Sequence, residues 1–158
     1  MKRQLDDYYD RFYTKLADRR KVLFADNYKK AKDIALWKEQ VAERWDKITV
    51  VSCEKEQDMI NGNVQSGKKY KVRYVIDEQG LDDAVGLELV TLRVDDEGKQ
   101  HVYSVEALDV VKRDGNLFTF EGTHCIPTSG SFKVAYRMYP KNADLPHRQD
   151  FCYVKWFN

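Results

Sequence analysis

The chain is poor in the residues that usually mark a catalytic or metal site. It has three cysteines and three histidines among 158 residues. Cys53, Cys125 and Cys152 are odd in number, far apart and without a Cys-x-x-Cys pair. That spacing excludes a disulfide framework and the common zinc frameworks, and reads as free thiols in a reducing compartment. No apolar run approaches the roughly 20 residues of a membrane span. The start, Met1-Lys2-Arg3-Gln4, has no apolar signal core, so the expected location is the cytoplasm. With 27 basic and 26 acidic residues the formal net charge is +1. Such a balance gives no long-range field for nucleic acid or an anionic membrane, and neither is expected as a partner. Signature motifs are missing too: no Gly-x-x-x-x-Gly-Lys-Ser/Thr phosphate loop, no Gly-x-Ser-x-Gly elbow, no His-Glu-x-x-His helix.

Glycine and proline are absent up to Asp46, and this stretch has helical periodicity. Leu5, Tyr9, Phe12 and Leu16 form one stripe, which Leu23 continues; Tyr28, Ala31, Ile34, Trp37, Val41 and Trp45 form another. An Ala25-Asp26-Asn27 turn separates them, with Asp26 or Asn27 as N-cap. Residues 1–46 are therefore predicted as an amphipathic helical hairpin. A hairpin cannot bury its own apolar stripe, so it must dock on the rest of the chain or self-associate.

From Lys47 the period changes to two. Strands are predicted over Ile48–Cys53, Tyr70–Ile76, Gly86–Val94, Val102–Val111 and Leu117–Glu121, with a polar Asn-Gly loop over Asp58–Gly67. Two more close the chain: Phe132, Val134, Tyr136 and Met138 share a face opposite Lys133 and Arg137, and a second strand runs on to Phe157. Six or seven short strands with no helix between them predict an antiparallel β-sandwich of immunoglobulin or fibronectin type over 47–158, in an α+β chain.

Few residues there invite chemistry. His124 and Cys125 could pair as base and nucleophile, but neighbours on a strand point to opposite faces. Asp82-Asp83 reads as a polar turn, since calcium needs six to eight oxygens and no loop of alternating Asp and Asn surrounds the pair. The aromatics carry more weight. Tyr103, Phe118, Tyr139, Tyr153 and Trp156 lie on the β half, and two or three exposed in a row would make a platform for sugar rings; the alternative is core packing. Trp37 and Trp45, two turns apart, share a helix face and read as core or interface.

Several stretches resemble one family in order along the chain: Tyr8-Tyr-Asp-Arg-Phe-Tyr-Thr-Lys-Leu-Ala, Asn27-Tyr-Lys-Lys-Ala-Lys-Asp-Ile-Ala-Leu-Trp-Lys, Val41-Ala-Glu-Arg-Trp-Asp-Lys-Ile, Gly80-Leu-Asp-Asp-Ala-Val-Gly-Leu-Glu-Leu-Val and Val134-Ala-Tyr-Arg-Met-Tyr-Pro-Lys-Asn. Together they are similar to the C-terminal region of the bacterial α-glucan (glycogen/maltodextrin) phosphorylases, in the long form with an added C-terminal β domain. The resemblance implies a parent that cleaves α-1,4-glucans with phosphate to glucose 1-phosphate, using pyridoxal phosphate on a lysine of an upstream catalytic region. It makes residues 1–46 the end of that region and 47–158 an accessory domain with a structural or glucan-positioning role. The upstream region is then the expected partner, with α-glucan and a second copy as further ones. No catalytic, cofactor-binding or metal-ligating residue carries over, and Lys29-Lys30 and Lys68-Lys69 lie in charged, solvated settings. The glucan-contacting candidates are Tyr103, Tyr139, Tyr153 and Trp156; a protein-interaction module without sugar binding is the alternative.

Overall fold

The computed structural model describes residues 2–60 and 64–157, except for the side chains of Lys2, Gln4 and Leu5. The expected Asn61-Gly62 turn and the Leu5 side chain thus lie outside the described residues. The chain forms two compact units, divided between Gln40 and Val41.

The first unit is helical. Helix α1 (Lys2–Tyr8) runs into a π-helical turn, Tyr9–Tyr13, where Thr14 donates from both its amide and its hydroxyl to Tyr9 O, the hydroxyl at 2.9 Å. Helix α2 (Thr14–Arg44) follows. Its interior leaves helical geometry at Ala25–Tyr28, the predicted break. Asp26, Asn27 and Tyr28 have φ of 48°, 54° and 63°. Asp and Asn tolerate this left-handed region better than most residues, and the Tyr28 ring packs 4.9 Å from Phe24. Exposed pairs, Lys21–Asp18 at 3.0 Å and Lys29–Asp33 at 2.8 Å, each add a few tenths of a kcal/mol at low salt.

Among its described residues the second unit holds eight strands: β1 (Thr49–Lys55), β2 (Lys69–Asp77), β3 (Val85–Val94), β4 (Gln100–Ala107), β5 (Asp109–Asp114), β6 (Leu117–Cys125), β7 (Ser131–Pro140) and β8 (Lys155–Phe157). They make two four-stranded antiparallel sheets, ordered β1-β2-β6-β5 and β4-β3-β7-β8. Alternation selects the inner faces. Tyr70, Val72, Tyr74 and Ile76 of β2 are buried with Phe118 and Phe120 of β6, as are Leu87 and Leu89 of β3 with Tyr136 and Met138 of β7. The Tyr74 and Tyr136 rings, 4.6 Å apart, join the two layers. Each such side chain contributes roughly 1.5–3 kcal/mol by leaving water. Edge strands β1, β4 and β5 each carry a register irregularity, and β8 has three residues. All four edges are thereby blunted against pairing with another chain.

Three expectations need correction. The single strand predicted over Val102–Val111 is two strands in different sheets. The chain crosses at Leu108, whose N–H donates to Leu87 O at 2.9 Å and whose side chain covers Gly122. A switch of sheet leaves the two-residue period intact, so alternation hides it. A short helix, α3 (Gln57–Ile60), stands between β1 and β2, where no helix was expected. The last strand shrinks to Lys155–Phe157 because a 3₁₀ turn, Arg148–Asp150, occupies the segment before it.

Helix α2 enters the second unit with buried Val41 and ends in a 3₁₀ turn, Trp45–Lys47, with Trp45 also buried. Lys155 closes this end. Its Nζ donates to Trp45 O at 3.3 Å, Asp46 O at 3.2 Å and Ile48 O at 3.1 Å. One cation thus serves three carbonyls at the negative end of the helix dipole. Lys155→Met keeps the apolar stem and removes the donors. Urea unfolding should show a loss of about 2 kcal/mol with an unchanged slope.

Candidate functional site

The outer face of the β4-β3-β7-β8 sheet gathers charged and aromatic groups into one cluster. Register places Glu88 of β3 opposite Arg137 of β7, and Arg137 opposite Trp156 of β8, so these three cross the sheet in one row. One row away, Gly86 lies opposite Tyr139. Glu88 is 1% exposed and would be prohibitive alone; two guanidinium groups compensate it. Arg137 donates through Nε and Nη2 to Oε1, and Arg148 Nη1 donates to Oε2 at 2.8 Å. Each arginine is also placed on an aromatic ring. Arg148 lies 3.7 Å from the Tyr139 centroid and Arg137 5.3 Å from that of Trp156. Burial pushes the Tyr139 hydroxyl up, and the nearby Arg148 charge partly opposes this.

Tyr139 fits there because position 86 has no side chain. A Cβ on Gly86 would come within 2.5 Å of the Tyr139 ring. Gly86→Ala should therefore swing Tyr139 off the sheet and lower stability by about 1–3 kcal/mol, with a changed Tyr139 ring signal in NMR.

Beside Tyr139 and Arg148 opens a cleft of about 480 Å³, walled by Lys141, Asn142 and His147, with Leu145 and Pro146. A larger trough of about 790 Å³ crosses the other sheet. Its charges are mixed: Arg73 faces Glu121 at 3.4 Å, and the Glu56 carboxylate accepts from the Lys71 amide at 2.9 Å.

The four sugar-contact candidates fall in three places. Tyr139 and Trp156 share the Glu88 face. Tyr153, 37% exposed, precedes β8 and packs on Trp45 at 5.7 Å and Phe151 at 4.8 Å. Tyr103 sits on edge strand β4 against Phe132 at 5.2 Å. Phe118 is core. Sequence reasoning missed Glu88, Arg137 and Arg148 as a cluster. A carboxylate in the middle of the otherwise apolar run Val85–Val90 was the available signal, because such a charge demands a partner.

The other expectations can also be located. His124 is fully buried, with both ring nitrogens unpartnered and its pKa pushed down by burial; Cys125, next along the strand, is half-buried. Asp82 and Asp83 form a turn with φ of 42° and 58°, and Asp83 faces Arg113 at 3.2 Å and Lys141 at 3.8 Å. Two cations already neutralise it. Among the described residues no group of three or more His, Cys, Asp or Glu side chains is placed to hold a metal. Lys29 and Lys68, one from each lysine pair, are engaged at the surface by Asp33 and Asp58.

The family described as "Glycogen phosphorylase C-terminal domain" matches residues 45–158. Maltodextrin phosphorylase of Thermococcus litoralis is 25% identical over 160 residues, covering 98% of this chain and 18% of that protein. The chain thus spans under a fifth of the relative's length. The match contains both sheets and the Glu88 face, and the chain belongs to the glycogen phosphorylase C-terminal domain family.

Proposed function

We propose that this chain is a non-catalytic accessory module of an α-glucan phosphorylase-like glycosyltransferase, fixed to its catalytic region through the helical segment. The observation that carries this reading is the apolar surface of that segment. Tyr9, Phe12 and Leu16 are 63%, 55% and 64% exposed, and Tyr8, Tyr13 and Phe24 are exposed with them. Left in water, each forgoes roughly 1.5–3 kcal/mol of burial. The match to the domain family begins only at residue 45, so these residues lie before it. In this proposal they seat on the upstream region, where the parent's phosphorolysis of α-1,4-glucans and its pyridoxal phosphate reside.

The β unit serves as an immunoglobulin- or fibronectin-like sandwich. Support comes from strand order: with strands lettered along the chain as A, B, C, C′, D, E, F, G, the sheets read A-B-E-D and C′-C-F-G. Mixing this chain with the separately expressed upstream region should give a stoichiometric complex by size exclusion. Phe12→Ser with Leu16→Ser should abolish it. Absence of a complex with the unmodified chain would contradict the reading.

A second role, glucan positioning, is favoured by Trp156, which keeps 52% of its surface exposed beside an arginine. Aromatic rings with adjacent hydrogen-bond donors suit sugar rings. Native electrophoresis in gels with soluble amylose should retard the chain, and Trp156→Ala should restore its mobility. Unchanged mobility of the unmodified chain leaves the module structural.

A further inference from the structure

From the free hydrogen-bonding groups of the cleft beside Tyr139, we propose that it binds a small phosphomonoester, with Arg148, Lys141, His147 and Asn142 holding the phosphate. The unspent hydrogen-bonding groups carry it, independently of the accessory-module reading. Arg148 uses Nη1 on Glu88 and retains Nε and Nη2. Lys141 Nζ has one distant carboxylate neighbour, Asp83 at 3.8 Å. His147 Nδ1 accepts from the Gln149 amide at 3.1 Å, which puts the proton of the neutral ring on Nε2 as a donor. The Asn142 Oδ1 accepts from the Asp144 amide at 2.8 Å, so its NH₂ is left to donate. The free groups of these four residues are donors apart from the second lone pair of Asn142 Oδ1, and two carry permanent charge. A neutral sugar presents donors as well as acceptors, whereas a phosphate presents acceptors alone.

The arginine is also pre-organised. The buried carboxylate of Glu88 and the Tyr139 ring 3.7 Å away fix its guanidinium plane before any ligand arrives, which lowers the entropy lost on binding. A volume of about 480 Å³ lies in the range of small-molecule sites and exceeds what a bare ion fills. Leu145, Pro146 and the edge of Tyr139 supply an apolar wall for the body of an ester.

The test is an NMR titration of the full 158-residue chain with inorganic phosphate, phenyl phosphate, a hexose phosphate and maltose. Saturable shifts are expected at the amides of Lys141, Asn142 and residues 147–149, with both monoesters tighter than inorganic phosphate. Arg148→Lys and Lys141→Ala should each weaken binding by about tenfold, the usual effect of losing one charge-assisted contact. Lys141→Ala leaves the Glu88 cluster untouched and gives up only the 3.8 Å approach to Asp83, and an unchanged urea midpoint separates its loss of binding from a loss of folding. Tighter binding of phenyl phosphate than of hexose phosphate assigns the body of the ligand to the apolar wall; the reverse assigns it to a sugar. Equal affinity for inorganic phosphate and both esters would overturn the ester proposal in favour of an ion site. No saturable shift, equal response to maltose, or unaltered affinity in both variants would overturn the site.

Discussion

Glu88→Gln should lower the unfolding free energy by about 3 kcal/mol, at the low end of the range for breaking a buried ion pair. The glutamine keeps the shape and one acceptor but removes the charge that two guanidinium groups share. Arg137, whose side chain is 29% exposed, is then left partly desolvated and uncompensated; Arg148, at 53%, can turn into water. Urea unfolding of the full chain measures this as a fall in midpoint at constant slope. Replacing both members, Glu88→Leu with Arg137→Met, should recover much of the loss, because an apolar pair has no desolvation to compensate. If Glu88→Gln alone changes stability by less than about 0.5 kcal/mol, the row adds nothing to the fold, since that is the ordinary effect of a surface substitution.

Glu78→Gln should have the opposite effect at alkaline pH. Glu78 is fully buried in the turn after β2, its carboxylate oxygens have no hydrogen-bond partner, and its pKa is raised from 4.5 to about 8. Burial is the main cause, with the Asp83 charge adding to it and Arg113 opposing it. Between these two values the folded state holds a proton that the unfolded chain has released. Stability from this group is therefore full below pH 4.5, falls as pH rises, and is gone above about 8. The swing is on the order of 5 kcal/mol. His124 acts in the other direction: burial lowers its pKa below 6.5, so its contribution is full above that value and lost as pH falls. The wild-type chain should be most stable between the two effects. Glu78→Gln should match it near pH 4.5, exceed it at pH 9, and move the optimum upward. Parallel stability curves for the two proteins would show that Glu78 titrates normally.

The sequence reveals the strands through alternation, as Tyr70–Ile76 and Phe132–Met138 show, and it reveals the break at 25–28 through an Ala-Asp-Asn run. Each signal is local. What it hides is non-local. Leu108 gives no local sign that the chain changes sheet, because its partners are Leu87, which is 21 positions before it, and Gly122. The candidate site was half legible for the same reason. Tyr139 and Trp156 stand out as aromatics on strands, yet their neighbourhood depends on a register that joins Glu88, Arg137 and Trp156 from three separate segments. Arg148 reaches Glu88 from a loop 60 residues away in sequence. Lys155 is similar: an ordinary charged residue in the sequence, it is the donor that closes a helix ending more than a hundred positions earlier.

The proposed role, a module that supports phosphorolysis without performing it, is open to direct test. The direct measurement is release of glucose 1-phosphate from maltodextrin and phosphate, with pyridoxal phosphate present, by the purified chain and by the separately expressed upstream region. Turnover by the upstream region, and none above blank by the chain, is the predicted result. Sustained release by the chain alone, abolished by no removal of contaminating phosphorylase, would contradict it.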